Sequence, residues 1–144
     1  MSNVRTSFRS VFAAVAILGT LVACGEDGVI DPDPIAGTYT ATTFRVAPPS
    51  SSEINVLAQG GNLSIIIGGN GTTTGTLSLP AVVTGAAALQ ASMVGTVERN
   101  GNSVSFEQTA DTFVRDLNWT VAGRTITVTN QSVSGATYTI VLTR

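Results

Sequence analysis

From Gly37 to Arg144 the sequence alternates apolar and polar residues with a period of two, and turn-forming residues interrupt the alternation at the 8–12-residue intervals typical of all-β domains. Residues two apart on a strand share a face, so each such segment has one apolar side that must be buried against another sheet or against its own sheet closed on itself. The expected strands are Thr38 to Val46, Ile54 to Ala58 (closed by Gly60-Gly61), a third carrying Leu63, Ile65 and Ile67, and Thr72 to Leu79 after the Gly69-Asn70-Gly71 turn. Ser92 to Arg99 and Asn102 to Gln108 flank Asn100-Gly101, a strong hairpin signal. Phe113 to Val121 and Arg124 to Asn130 flank Ala122-Gly123, and Ser132 to Gly135 leads into a last strand, Ala136 to Thr143. Pro80 to Gln90, rich in alanine and valine, reads as irregular: a loop, a half-turn of helix, or part of another strand.

The expected fold is therefore all-β. About nine short sequential strands close most simply as an antiparallel up-and-down barrel of about 8–10 strands, which removes exposed edges. A β-sandwich is the alternative. One face carries Phe44, Val46, Ile65, Leu77, Met93, Phe106, Ile126, Val128, Ile140 and Leu142, and the opposite face is dominated by threonine. A membrane-embedded barrel would need an apolar outer band with aromatic girdles. Threonine outside and few aromatics argue against it.

The first 24 residues differ in kind. Met1 to Ser10 carries Arg5 and Arg9 and no acid, and Val11 to Ala23 is a 13-residue apolar run broken only by Gly19 and Thr20. That run is too short to span about 30 Å of hydrocarbon and matches a signal-peptide core. It ends Leu21-Val22-Ala23-Cys24-Gly25, which resembles the bacterial lipobox: a large aliphatic residue, a tolerant position, a small residue, then cysteine. The resemblance implies cleavage before Cys24 and acylation of its sulfur and new amino terminus, a cell-envelope location, and attachment to a membrane through acyl chains. Sorting rules for such lipoproteins read the next residue. Gly25, not aspartate, implies the outer membrane if the host is Gram-negative. Cys24 is the only cysteine, so no intramolecular disulfide is available.

Residues 24–34 read as an acidic Pro/Gly tether, and residues 35–144 as one domain behind it. Asp27, Asp31 and Asp33 lack the full spacing of an EF-hand loop, so the expectation is no metal. From Cys24 onward there are five arginines, nine carboxylates, no lysine and no histidine, a formal charge of −4. Without a basic patch the chain lacks the footprint of a nucleic-acid binder. Without histidine or a free thiol, the usual acid–base, nucleophilic and zinc constellations are missing. Glu98 and Glu107 read as solvated surface, and no glycine-rich loop precedes a helix. No catalytic residue, cofactor or enzymatic activity is expected.

Ile35-Ala36-Gly37-Thr38-Tyr39, with Phe44 on the same strand, resembles the opening of lipocalin-like barrels, whose Gly-x-Trp motif closes the base under an arginine from the last strand. Tyrosine stands where that family has tryptophan, and Arg144 ends the last strand. The resemblance implies that Tyr39 and Arg144 close the barrel by a cation–π contact, and that the lumen binds small apolar molecules. Residues 60–77, with their Gly60-Gly61-Asn62 and Gly75-Thr76-Leu77 segments, look like bacterial lipocalin-like lipoproteins.

Residues 109–119 supply the candidate ligand residues. By strand parity Phe113, Leu117, Trp119 and Val121 share a face with Arg115. Inside a barrel, Arg115 would anchor a carboxylate; near the mouth, it would pair with Asp111 or reach water. Two functions follow: a barrel that binds a small apolar or amphiphilic ligand near Phe113, Arg115 and Trp119, or an envelope structural or interaction protein with a packed barrel and no ligand.

Overall fold

The computed structural model describes residues 35–144. The expected signal peptide, lipidation at Cys24 and the 24–34 tether lie outside the described residues. Ten strands follow in chain order: β1 (Gly37–Ala47), β2 (Ile54–Asn55), β3 (Asn62–Ile67), β4 (Thr72–Leu79), β5 (Leu89–Ser92), β6 (Gly95–Asn100), β7 (Ser103–Gln108), β8 (Trp119–Ala122), β9 (Thr125–Val133) and β10 (Ala136–Thr143). Eight of them form a closed antiparallel ring in the order β1-β3-β4-β6-β7-β8-β9-β10, sealed by β10 pairing with β1. The fold is an up-and-down barrel of lipocalin-like architecture, not a sandwich. The two remaining strands extend the wall: β2 pairs with the end of β1, and β5 with the end of β4.

Alternation sets the inside and the outside. Leu63, Ile65 and Ile67 of β3, Leu77 and Leu79 of β4, Val104 and Phe106 of β7, and Ile140 and Leu142 of β10 are buried, while their neighbours face out. Each such side chain stabilises the fold by about 1.5–3 kcal/mol when fully buried. Register carries the pattern round the wall: Thr40 pairs with Ser64, Ser64 with Thr76, and Thr76 with Ser92, a row of outward hydroxyl residues. A one-residue slip in any of these pairings would turn that hydroxyl row inward.

Three expected strands are corrected. Ile54 to Ala58 is a strand only at Ile54–Asn55; Leu57–Gln59 is a 3₁₀ turn stopped by Gly60 at φ 82°. The expected strand from Ser92 is interrupted at Met93 and Val94, so β5 and β6 separate, and Pro80 to Gln90 resolves into one helical turn, Ala81–Thr84, and the start of β5. Phe113 to Val121 is a 3₁₀ turn at Phe113–Arg115 followed by the short β8. There Val114 and Leu117, three apart, are both buried. Period three, the eclipsing repeat of a 3₁₀ helix, overrides period two.

The two ends of the barrel differ. The turns at 68–71, 100–102 and 122–124 gather at one end, the base, with Ile35, Gly37 and Arg144. The end of β1, the end of β4, the Ala81–Thr84 turn, the Phe113–Arg115 turn and the start of β10 gather at the other, the mouth.

A candidate ligand site at the barrel mouth

The base is closed by side chains. Arg144 places Cζ 5.7 Å from the Tyr39 ring centroid and donates from Nη1 to the Ala36 carbonyl. Arg124 Nε donates to the Arg144 carbonyl at 2.9 Å, and the Arg144 amide donates to the Arg124 carbonyl at 3.0 Å. Above this lies a filled interior. Tyr39, Phe44, Phe106 and Trp119 are at most 1 % exposed. Trp119 meets Phe106 edge-on at 5.6 Å, and its Nε1 donates to the Val114 carbonyl at 2.9 Å. This hydrogen bond ties the first residue of β8 to the turn that precedes it.

The mouth is not filled. A cavity of about 290 Å³ lies there, lined by Val46, Pro48, Pro49, Leu79, Val83, Thr84, Leu89, Phe113, Ala136 and Tyr138. Phe113 stacks on Tyr138 with centroids 4.3 Å apart and planes 14° apart, and its other neighbour is Phe44 at 6.2 Å. Burial pushes the Tyr138 phenol above its ordinary value of 10.0, so it is a neutral hydroxyl at physiological pH. Thr84 Oγ1 is already engaged with the Ala81 and Ala87 carbonyls. The lining is thus apolar except for the Tyr138 phenol and the engaged Thr84 hydroxyl, without a charged group. Apolar walls with few polar groups are what small-molecule sites present. A cavity of roughly 150 Å³ already holds a benzene-sized molecule. A larger depression, about 370 Å³, runs along the β4–β5 pair, lined by Thr76, Leu77, Ser78, Gln90, Ala91 and Ser92. Four of its six lining residues, Thr76, Ser78, Gln90 and Ser92, carry a hydroxyl or an amide.

Of the candidate ligand residues, the structure brings only Phe113 to the mouth cavity. Trp119 is core. Arg115 projects outward with its side chain 41 % exposed, 2.6 Å from Asp111 and 3.9 Å from Asp116. The helical turn is the reason, since it rotates Arg115 away and Val114 inward. Sequence reasoning missed Tyr138 and Gln108. Both were readable by parity, Tyr138 with Ile140 and Leu142, and Gln108 with Val104 and Phe106.

Gln108 is the unusual residue of the interior. It is 6 % exposed, and neither Oε1 nor Nε2 has a hydrogen-bond partner among the described residues. The same holds for Oγ1 of Thr112, immediately before Phe113. Across the β6–β7 pair from Gln108 stands Gly95, where a Cβ would overlap the Glu107 carbonyl oxygen and lie 2.7 Å from Gln108 Cα.

Among the described residues, no group of three or more histidine, cysteine, aspartate or glutamate side chains comes together, and no helix is long and apolar enough to cross a membrane. No protein-family model matches the sequence, and no curated protein or solved structure matches it.

Proposed function

We propose that this chain is a lipoprotein of the cell envelope, anchored by acyl chains on Cys24, whose lipocalin-like barrel binds a small apolar or amphiphilic ligand at its mouth. The observation that carries the binding reading is the cavity walled by Leu79, Val83, Leu89, Phe113 and Tyr138. An apolar concavity in a wall otherwise faced with threonine and serine gains free energy when an apolar solute displaces its water, at about 25 cal/mol per Å² covered. The filled interior limits the ligand to one that fits the mouth, so a long acyl chain threaded through the barrel is not expected. The anchoring reading rests on the charge, length and lipobox-like end of residues 1–24.

Each half has its own test. Metabolic labelling with palmitate should mark the wild-type protein and not Cys24→Ser; equal labelling of both would sink the anchor. Native mass spectrometry of the purified protein in an envelope lipid extract should reveal a small adduct in one-to-one ratio. Bare protein only would favour the second reading, a packed barrel acting through its surface. The observation behind that alternative is the close packing of Tyr39, Phe44, Phe106 and Trp119 below the mouth.

A further inference from the structure

The wall opens along one strand. β5 pairs with β4 on one side, and among the described residues no strand pairs with it on the other. Alternation fixes which backbone groups are left over. The Met93 and Val97 amides donate toward β4, to the Gly75 carbonyl at 3.0 Å and the Gly71 carbonyl at 2.8 Å. The Val94 carbonyl turns the other way and accepts from the Thr109 amide at 3.0 Å. In an antiparallel ladder these directions alternate residue by residue. Leu89 and Ala91 therefore bond to β4, while Gln90 and Ser92 aim N–H and C=O at the place the chain vacates after Thr109, where it bends toward the Phe113–Arg115 turn. β5 itself carries neither a charge nor a proline, the usual guards of an edge strand. Gln90 and Ser92 are exposed, and so are the flanking Leu89 (40 %) and Val94 (46 %).

We propose that β5 is a pairing edge whose occupant is β5 of a second copy of this chain, antiparallel about a two-fold axis at Ala91. That axis sets Gln90 opposite Ser92 of the partner subunit, and Ser92 opposite Gln90 of the partner subunit. Both are residues whose backbone groups face out, so four N–H···O=C bonds form and every outward group on the two residues is used. At the axis Ala91 meets Ala91 of the partner subunit as a non-hydrogen-bonded pair, with Cα atoms about 4.5 Å apart, and alanine is small enough for that approach. Charge favours a second copy. From Cys24 onward the formal charge is −4, so two copies repel each other except through a face that carries no charge. No charged residue lies between Glu53 and Glu98, the stretch that builds β3, β4 and β5. Thr109 occupies the edge at Val94, so the free edge is no longer than β5 itself, and pairing consumes it on both copies. The contact closes as a dimer and does not propagate into a fibre.

Sedimentation equilibrium of the purified full-length protein in density-matched detergent tests the pairing. A four-residue edge holds a pair weakly, so the series runs up to about 1 mM. A monomer–dimer equilibrium is expected, with nothing larger. Ser92→Pro removes an outward N–H and leaves the bonds to β4 in place, so it should weaken the dimer at least about tenfold, with the far-ultraviolet circular dichroism unchanged. Gln90→Arg combined with Ser92→Glu sets opposite charges face to face across the axis and should tighten the dimer severalfold. Gln90→Glu combined with Ser92→Glu sets like charges there and should weaken it. Monomer at every concentration overturns the proposal and leaves the edge to a chain of another kind. A dimer that Ser92→Pro leaves intact overturns β5 as the interface. Equal effects of the two charged pairs overturn the two-fold register, and species larger than a dimer overturn the closed pairing. The charged pairs lie on the exposed face, so they decide the matter even if Ser92→Pro fails to fold.

Discussion

Arg144 lies along the face of Gly37 that a side chain would occupy: a Cβ there would overlap Arg144 Cδ and come within 3.1 Å of Cγ. Gly37 also holds φ at 145°, a conformation L side chains rarely adopt. Gly37→Ala should therefore destabilise the barrel by about 1–3 kcal/mol, through backbone strain and displacement of Arg144 from the Tyr39 ring. Arg144→Ala should cost less, because it removes the contact without the strain. Denaturant unfolding of the two variants gives the order, and an unchanged midpoint for Gly37→Ala would refute the account of the base.

Phe113→Ala should weaken binding of an apolar probe at the mouth by about tenfold and also destabilise the fold by about 2–3 kcal/mol, because the ring packs on the core and stacks on Tyr138. Phe113 is only partly buried, so the part of the ring that the core leaves uncovered is the ligand's to cover. Fluorescence or calorimetric titration beside thermal unfolding separates the two effects.

Tyr138 makes the stability depend on alkaline pH. Burial raises its folded-state pKa above 10.0, so between the unfolded and folded values the native state holds a proton that the unfolded chain has released. Stability should fall as pH rises from about 10 until the folded value is passed; below that range both states hold the proton and the contribution of Tyr138 is fully present and constant. Tyr138→Phe should flatten this decline. The chain has no histidine, so no such side chain adds a slope between pH 6 and 8. Urea midpoints measured from pH 7 to 11 on both proteins give the comparison.

Trp119→Phe should destabilise by about 1–3 kcal/mol, because it strands the Val114 carbonyl and removes the edge contact with Phe106. Asp111→Ala should change stability by less than about 1 kcal/mol, since its pair with Arg115 is exposed. Equal costs for the two would mean that the 109–118 segment is held from outside rather than by its tryptophan.

Much of the barrel was legible because period two is a property of the sequence itself. Thr72–Leu79 and Ala136–Thr143 fall where alternation and turn residues place them. The segment from Phe113 to Leu117 was misread because Phe, Val, Arg and Leu suit a strand and a 3₁₀ turn alike over so short a stretch. What decides between them is Trp119, whose indole reaches back to the Val114 carbonyl, a contact no spacing rule reveals. That rotation is also why Arg115 leaves the lumen. The mouth cavity was illegible for a different reason. Its lining comes from six separate stretches of chain between Val46 and Tyr138, joined only by barrel closure. Gln108, by contrast, stood on an apolar face in plain alternation, and its burial followed from parity alone.

The barrel begins and ends at one pole. Ile35 and Arg144 both sit at the base, the opposite pole from Phe113 and Tyr138. Under the proposed anchoring through Cys24, a leash drawn from residues before Ile35 would pull on the closed pole, and the opening would point away from the surface that holds it. Solutes would then reach the aromatic pair from the aqueous side, without crossing lipid headgroups. A tag added after Arg144 would stand at the closed pole and leave the opening clear.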